Sequence, residues 1–490
     1  MKKAFLVFSL CLVLALAGLT AAAVTLHDSR DDVEVTLTTR AGDPFQAQGL
    51  TVQQQARFAD SLLWNLTIPA HDPVLAKTDC SYYARGLEWT VHEETPLSLY
   101  TNESSVHYID GPHTDLTADV VAGDSALSQL VPLLNELAEQ TQPGKSFSRT
   151  IPPSDYLDAI PYSVYASLPN TALRYDENTL DHHDTEGMIP RFFQKAFPLD
   201  FAPEEVWTVS VKKRTTGYIE EASYSSNGPT PQVDLITDYN DQALYLALGQ
   251  DTWPQPDYSR FPQGNGVYRM DITQGEKQEL DYMEVQSLTN IFPIPDEAMV
   301  LDLTLDGAGS LLVTWYDAGD YRCTILDTET LEPTETFTLF HLPWSFSEVI
   351  VYDNYSDEEY SYETRSYVYL RAIPKENCIL FLGETQLWLF LPTEEGWQEQ
   401  FHVRLGDSLY FPYYSDKQVD IAWNGEKLAL ASTSSMWTVG LDLLVYDDTG
   451  ELLFNGRYDS SLTEQPDEEG YRGTGDVVLM DGEEISLAWE

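Results

Sequence analysis

Leu443-Leu-Val-Tyr-Asp447-Asp-Thr-Gly450-Glu-Leu-Leu is the stretch on which the fold turns. An apolar run stops at an aspartate, a glycine follows three positions later, and a second run begins at once. A carboxylate there accepts backbone N–H bonds across the turn, and Gly supplies the positive φ that a tight hairpin needs. The stretch is expected to be two strands and a turn. The pattern of an apolar strand followed by a tight acidic or glycine turn recurs upstream as Gly266-Val-Tyr-Arg-Met-Asp271-Ile-Thr-Gln-Gly275-Glu and as Thr324-Ile-Leu-Asp327-Thr-Glu-Thr-Leu331-Glu. A looser copy is Leu387-Trp-Leu-Phe-Leu391-Pro-Thr-Glu-Glu-Gly396-Trp. With Asp271, Asp327, Thr393 and Asp448 as markers, the intervals are 56, 66 and 55 residues.

Internal repetition at this spacing points to a repeat architecture. Further strands are expected between the markers, at Ala243–Leu248, Ser310–Trp315, Cys378–Leu382 and Glu426–Ala431, which leaves room for about four strands per interval. From about residue 232 to 490 the chain resembles the β-propeller repeat of the WD40-like and quinoprotein-like families. In those families a strand ending in D-x-x-G or D-x-x-T turns into the outer strand of a blade. The Gly-His and Trp-Asp dipeptides of true WD40 repeats are absent. The resemblance implies an architecture and leaves function open, because propellers carry hydrolases, lyases and binding scaffolds alike. A last hairpin is expected around Asp481-Gly482, and its Glu484–Trp489 strand is placed to complete the first blade and remove an open sheet edge. The alternative is a β-sandwich with long hairpins, which would show two packed sheets.

Residues 27–231 mix signals and are expected to form an α+β N-terminal domain ahead of the propeller-like domain at 232–490. Val33, Val35 and Leu37 alternate with polar residues, as do Leu62, Trp64, Leu66 and Ile68, and Val206–Lys213 reads as another strand. Between Asp124 and Thr141, Leu127, Leu130, Val131, Leu134, Leu137 and Ala138 recur at helical spacing, with Pro132 expected to kink the helix or delay its start.

The N-terminus carries the clearest targeting signal. Lys2 and Lys3 precede an uncharged, mostly apolar run from Ala4 to Leu26, the form of an export signal. Two fates are open for residues 1–26. Cleavage would use the A-x-A site ending at Ala23, whereas a retained anchor needs about 20 apolar residues to span the bilayer. Cys11 is not a lipid-attachment site, because Leu10 precedes it where a small residue belongs. The expected location is extracytoplasmic, either secreted or tethered through residues 4–26.

The formal net charge is −52, and acidic residues are scattered from Asp28 to Glu490. Such a surface repels phosphate backbones and anionic headgroups, so nucleic acid is excluded as a partner and membrane contact is left to the N-terminal segment. With 43% hydrophobic and 12% aromatic residues the chain has ample core material. Past residue 26 the cysteines are Cys80, Cys323 and Cys378. An odd count cannot pair fully and the spacing fits no zinc motif, so buried thiols are expected.

The most metal-like cluster is His182, His183 and Asp184, since imidazole with carboxylate suits zinc or another transition ion. A solvated polar loop is the competing reading. Calcium is the other ion an acidic chain suggests, at Asp353–Glu359 or Asp302–Gly307, but neither has the spacing of a calcium loop. No cofactor is assigned. Ser210-Val-Lys-Lys213 has S-x-x-K spacing, yet lies in an alternating strand rather than at a helix start. No catalytic residue is assigned. Trp388, Trp397, Trp423, Trp437 and Trp489, with the tyrosines around them, are expected chiefly as core. The combined expectation is a non-catalytic, exported, acidic protein that binds a ligand or protein partner outside the cytoplasm. The alternative is a secreted carboxylate-dependent hydrolase acting on carbohydrate or peptidoglycan, which would gather carboxylates around a concave pocket.

Overall fold

A computed structural model describes residues 33–490 except 59–61, 83–95, 102–105, 119, 122–124, 158–159, 161, 170–195, 202–204, 227–231, 241, 250–251, 253–255, 262, 272–287, 344, 353–358, 367, 369, 384–385, 406–418, 436–437 and 462–484. The segment at 1–26, the His182-His183-Asp184 cluster, the acidic stretch at 353–358, Trp437 and the turn expected at Asp481-Gly482 thus lie outside the described residues. The chain divides into two compact units, Met1–Val91 with Ile373–Glu490, and His92–Ala372.

The strands run in chain order as β1 (Val35–Gly42), β2 (Leu50–Phe58), β3 (Leu62–Pro69), β4 (Lys77–Tyr82), β5 (Pro96–Thr101) and β6 (Val106–Tyr108). Helix α1 (Ser125–Gln140) precedes β7 (Ser146–Ile151), β8 (Ser163–Pro169), β9 (Trp207–Lys213), β10 (Ile219–Ser226), β11 (Gln232–Tyr239), β12 (Ala243–Leu248), β13 (Gly266–Asp271) and β14 (Leu288–Pro293). Then come β15 (Met299–Leu305), β16 (Ser310–Asp317), β17 (Asp320–Asp327), β18 (Pro333–His341), β19 (Ser345–Tyr352), β20 (Glu359–Ser366) and β21 (Leu370–Lys375). The last are β22 (Cys378–Gly383), β23 (Gln386–Thr393), β24 (Gly396–Arg404), β25 (Val419–Trp423), β26 (Lys427–Ser435), β27 (Thr438–Asp447), β28 (Leu452–Ser460) and β29 (Ile485–Trp489).

The protein is mainly β, and four of the described sheets contain propeller-type blades, antiparallel meanders of four consecutive strands. These are β11–β14 and β15–β18 in the second unit, β25–β28 in the first, and β21–β24, whose first strand contains the Ala372/Ile373 division. All four sequence markers close, or directly follow, the third strand of such a meander. The turn chemistry is the expected one. Asp447 Oδ1 accepts from Thr449 N (2.9 Å) and Glu451 N (2.8 Å), and Asp327 Oδ1 from Glu329 N (2.9 Å) and Thr330 N (2.7 Å). Thr393 does the same work through its hydroxyl, which accepts from Glu395 N at 3.2 Å. Gly450 sits at φ +85°, and a Cβ there would stand 2.7 Å from Val403 Cγ1, so only glycine fits. The long 66-residue interval has a simple cause: the separate two-stranded sheet β19–β20 lies in sequence between β18 and β21.

Seven sheets stand among the described residues, which disposes of the two-sheet sandwich. In the first unit the chain ends interlock. β29 pairs with β2 as expected of a closing strand, Leu50 facing Trp489 and Gln54 facing Ile485. β1 pairs in turn with β28, making the last meander five-stranded. Along β27 the side chains of Leu441, Leu443 and Val445 enter one core and those of Leu444 and Tyr446 another, so this strand is buried on both faces.

The border expected at 231/232 runs between β8 and β11, which lie side by side in parallel within one sheet of the second unit, Val164 opposite Val233. In that unit α1 packs on the sheet β6-β10-β9-β7 through Leu127, Leu130, Leu134 and Leu137, against Val209, Val211 and Ala222. Pro132 lies inside the helix without ending it. Among the described residues Cys80, Cys323 and Cys378 are buried thiols, and burial pushes the Cys378 thiol up to about 12.

The half-buried turn carboxylates Asp327 and Asp447 predict an acid limit. Hydrogen bonds from Thr330 hold Asp327, and those from Thr449 hold Asp447, below the ordinary value of 3.8. Because the folded values are depressed, their contribution is whole above the unfolded value and is lost as pH falls through the folded one. Urea midpoints are expected to be insensitive to these groups above about pH 5 and to fall below about pH 4. Asp327→Asn and Asp447→Asn together should flatten that fall. An equally steep fall in the double variant would count against the turn carboxylates as its source.

Candidate functional site

Three consecutive glutamines, Gln53-Gln54-Gln55, lie on β2, where alternation sends the middle one to the opposite face from its neighbours. Register places Gln53 opposite Thr67 and Gln55 opposite Asn65 on β3, and Gln53 opposite Ser486 on β29. A groove of about 420 Å³ opens here, lined by Gln53, Gln54, Gln55, Asn65, Leu66, Thr67, Ile485 and Ser486. Gln54, Leu66 and Ile485 are buried, whereas Gln53 and Ser486 are exposed and joined by a 3.4 Å hydrogen bond from Ser486 Oγ to Gln53 Oε1.

No lining residue is ionisable. Amides and hydroxyls both donate and accept, so the groove matches hydroxyl or amide groups on a ligand and offers no side chain for proton transfer near neutral pH. A volume of this size lies within the range of small-molecule sites. The glutamine triplet was the sequence signal available for this groove. Ser486 could not be read, because it lies 433 positions from Gln53 in the chain.

The closing strand that supplies Ser486 is strapped by a buried carboxylate. Asp420 of β25, only 7% exposed, accepts Leu487 N on Oδ2 at 2.7 Å and meets Lys375 Nζ at 2.5 Å on Oδ1. The Trp489 indole donates to Ala422 O at 3.1 Å. In the second unit Asp238 of β11 likewise accepts Leu305 N of β15 at 2.6 Å. Inner-strand aspartates thus tie neighbouring sheets together.

The other sequence candidates fall elsewhere. Asp302 accepts Ala372 N and the Thr304 hydroxyl, and Asp306 Oδ1 accepts Ala308 N and Ser310 N, so both aspartates of the 302–307 calcium candidate serve the backbone. Ser210 lies on a strand with its Oγ 2.7 Å from Ser223 Oγ. Trp388 is buried, while Trp397, Trp423 and Trp489 are half-buried. Among the described carboxylates with a resolved shift, Asp442 stands apart. Burial pushes it above the usual range against the opposing pull of Arg40, whose Nη1 lies 3.0 Å away, and of Arg457, its cross-strand partner.

No protein-family model matches the chain, and no curated protein matches it. Among solved structures it is similar to the WD40 domain of SCAP from fission yeast, at 9% identity over 87% of this chain and 74% of that one, with a TM-score of 0.25. It is similar to the periplasmic gluconolactonase PpgL of Pseudomonas aeruginosa at 11% identity, 52% and 77% coverage and a TM-score of 0.19. Puromycin hydrolase gives 11% identity and a TM-score of 0.23, with 52% of this chain spanning 36% of that protein's length. Likenesses this distant carry no argument about activity. The fold stands on the meanders and their turns.

Proposed function

We propose that the chain is an exported, acidic, non-catalytic binding protein that takes an uncharged polar ligand in the β2–β3–β29 groove, outside the cytoplasm. One observation carries this reading: a groove without a single ionisable lining residue in a chain of net charge −52. Asp327, Asp447, Asp306, Asp302 and Asp420 all serve turns and straps, which supports an architectural use of these carboxylates. The apolar run at 4–26 supports export, either by cleavage after Ala23 or by retention as an anchor. Nucleic acid is not a proposed partner, and membrane contact is proposed through that run alone.

The second reading, a secreted carboxylate-dependent hydrolase, draws on Asp442, a buried carboxyl raised by desolvation. It is disfavoured by the two arginines facing that carboxyl, which suit a structural ion cluster.

Calorimetry with neutral oligosaccharides and short uncharged peptides tests the proposal. Gln53→Ala with Asn65→Ala removes two hydrogen-bonding amides at about 1 kcal/mol each, an expected loss of roughly 30-fold in affinity. Unchanged affinity in the double variant would remove the groove from consideration. Release of reducing ends or new amines in the same mixtures would favour the hydrolase instead.

A further inference from the structure

The geometry points to a second binding surface: the outer face of the β6-β10-β9-β7 sheet docks a neutral polysaccharide. It goes beyond the groove reading, since it lies in the other unit and shares with it only the neutrality of the ligand. Helix α1 covers one face of this sheet, and the opposite face is built from small hydroxyl side chains. Register aligns Ser148, Ser210 and Ser223 across β7, β9 and β10, and Thr150, Thr208 and Ser225 in the next row. Ser148, Thr150, Thr208 and Ser225 are exposed and the other two half-buried. Ser210 Oγ and Ser223 Oγ lie 2.7 Å apart, and Thr150 Oγ1 and Thr208 Oγ1 3.4 Å. The sheet itself sets the spacing of this array, about 4.8 Å between strands and about 6.7 Å along them.

A solvated sheet face ordinarily carries long charged side chains, which solvate it and keep other chains away. Here charge is confined to one end, where Lys212 Nζ lies 3.4 Å from Glu220 Oε2 and Glu221 stands opposite Lys212 in the register. At that same end Tyr108, opposite Glu221, is 72% exposed and presents an aromatic ring beside the hydroxyl rows.

Charge selects the occupant. Nucleic acid, anionic lipid and a second copy of this chain are all repelled by a protein of charge −52. A basic protein would seek carboxylates, which the centre of the face lacks. A neutral glycan meets no such repulsion, and its hydroxyls donate and accept as those of Ser and Thr do. A flat array suits a polymer, whose many weak contacts add along its length.

The test is co-sedimentation of the full chain with cellulose, chitin and starch granules at 0.15 M salt. At least one polymer is expected to deplete the protein from solution. Ser148→Lys with Thr208→Lys, and separately Ser148→Glu with Thr208→Glu, replace exposed side chains and should each weaken binding at least tenfold at an unchanged melting temperature. Each face variant should weaken binding by the same factor in the parent and in a Gln53→Ala, Asn65→Ala background, which separates this surface from the groove. Depletion by none of the three polymers overturns the inference, as does parental binding by either face variant.

Discussion

Asp420→Ala is expected to lower the stability of the first unit by about 3 kcal/mol, because it breaks a buried ion pair and frees the N–H of Leu487. Lys375 is 39% exposed and regains water when its partner is removed, which holds the cost near the lower end of the range for such pairs. For a unit of this size the loss corresponds to a fall of about 6–12 °C in melting temperature. Asp420→Asn keeps an acceptor for Leu487 N but turns a neutral amide toward Lys375, so an intermediate fall is expected. Hydrogen exchange gives the local readout: the amide of Leu487 should lose protection well before those of β26 and β27. A parental melting curve for the alanine variant would show that the strap contributes nothing.

Deleting residues 485–490 is expected to have a still larger effect. Ile485 and Leu487 are 7% and 9% exposed, and each buried aliphatic side chain contributes about 1.5–3 kcal/mol. The deletion also removes the ladder to Leu50–Gln54 and the Trp489 bond to Ala422, leaving β2 as an open edge. The sum exceeds about 5 kcal/mol, comparable to the whole stability of many domains. The truncated chain should aggregate or become protease-sensitive, and a synthetic peptide of residues 484–490 added in trans should restore solubility. A truncated protein as soluble and as stable as the full chain would show that β29 does not close the first sheet. Ile485 and Ser486 line the groove, so ligand binding should be lost with the strand and return with the peptide.

Much of the local structure was legible because hairpin chemistry is local. An aspartate at the end of an apolar run bends the chain by accepting backbone N–H bonds, as Asp447 does ahead of Gly450 and Asp327 does ahead of Leu331, which takes a positive φ of 61°. The helix behind residue 124 was legible from its 3.6-residue spacing, and it runs through Pro132 because tertiary packing of Leu127, Leu130, Leu134 and Leu137 outweighs the missing N–H. The domain border was not legible. β8 and β11 pair across the expected linker, and nothing in either strand names its partner.

The candidate site shows the same division. Gln53-Gln54-Gln55 is visible in the chain, but three neutral glutamines on a strand carry no chemistry until something faces them. Asn65 and Thr67 arrive through a hairpin, within local reach, while Ser486 arrives only because the last strand pairs with β2. Asp420 is one of 79 acidic residues, and only the approach of Lys375 and Leu487 N distinguishes it from the rest.

By itself the sequence determined the strands, their turns, the repeat that joins them into propeller-type meanders and the acidic composition. Turns and alternation depend on residues a few positions apart, which is why they can be read along the chain. The tertiary structure alone decided which strands share a sheet, how β1 and β29 interlock the chain ends, and where an uncharged groove opens. Those outcomes depend on pairing between segments more than 400 residues apart, where hydrogen-bonding edges are chemically alike and only the burial of whole faces selects the partner.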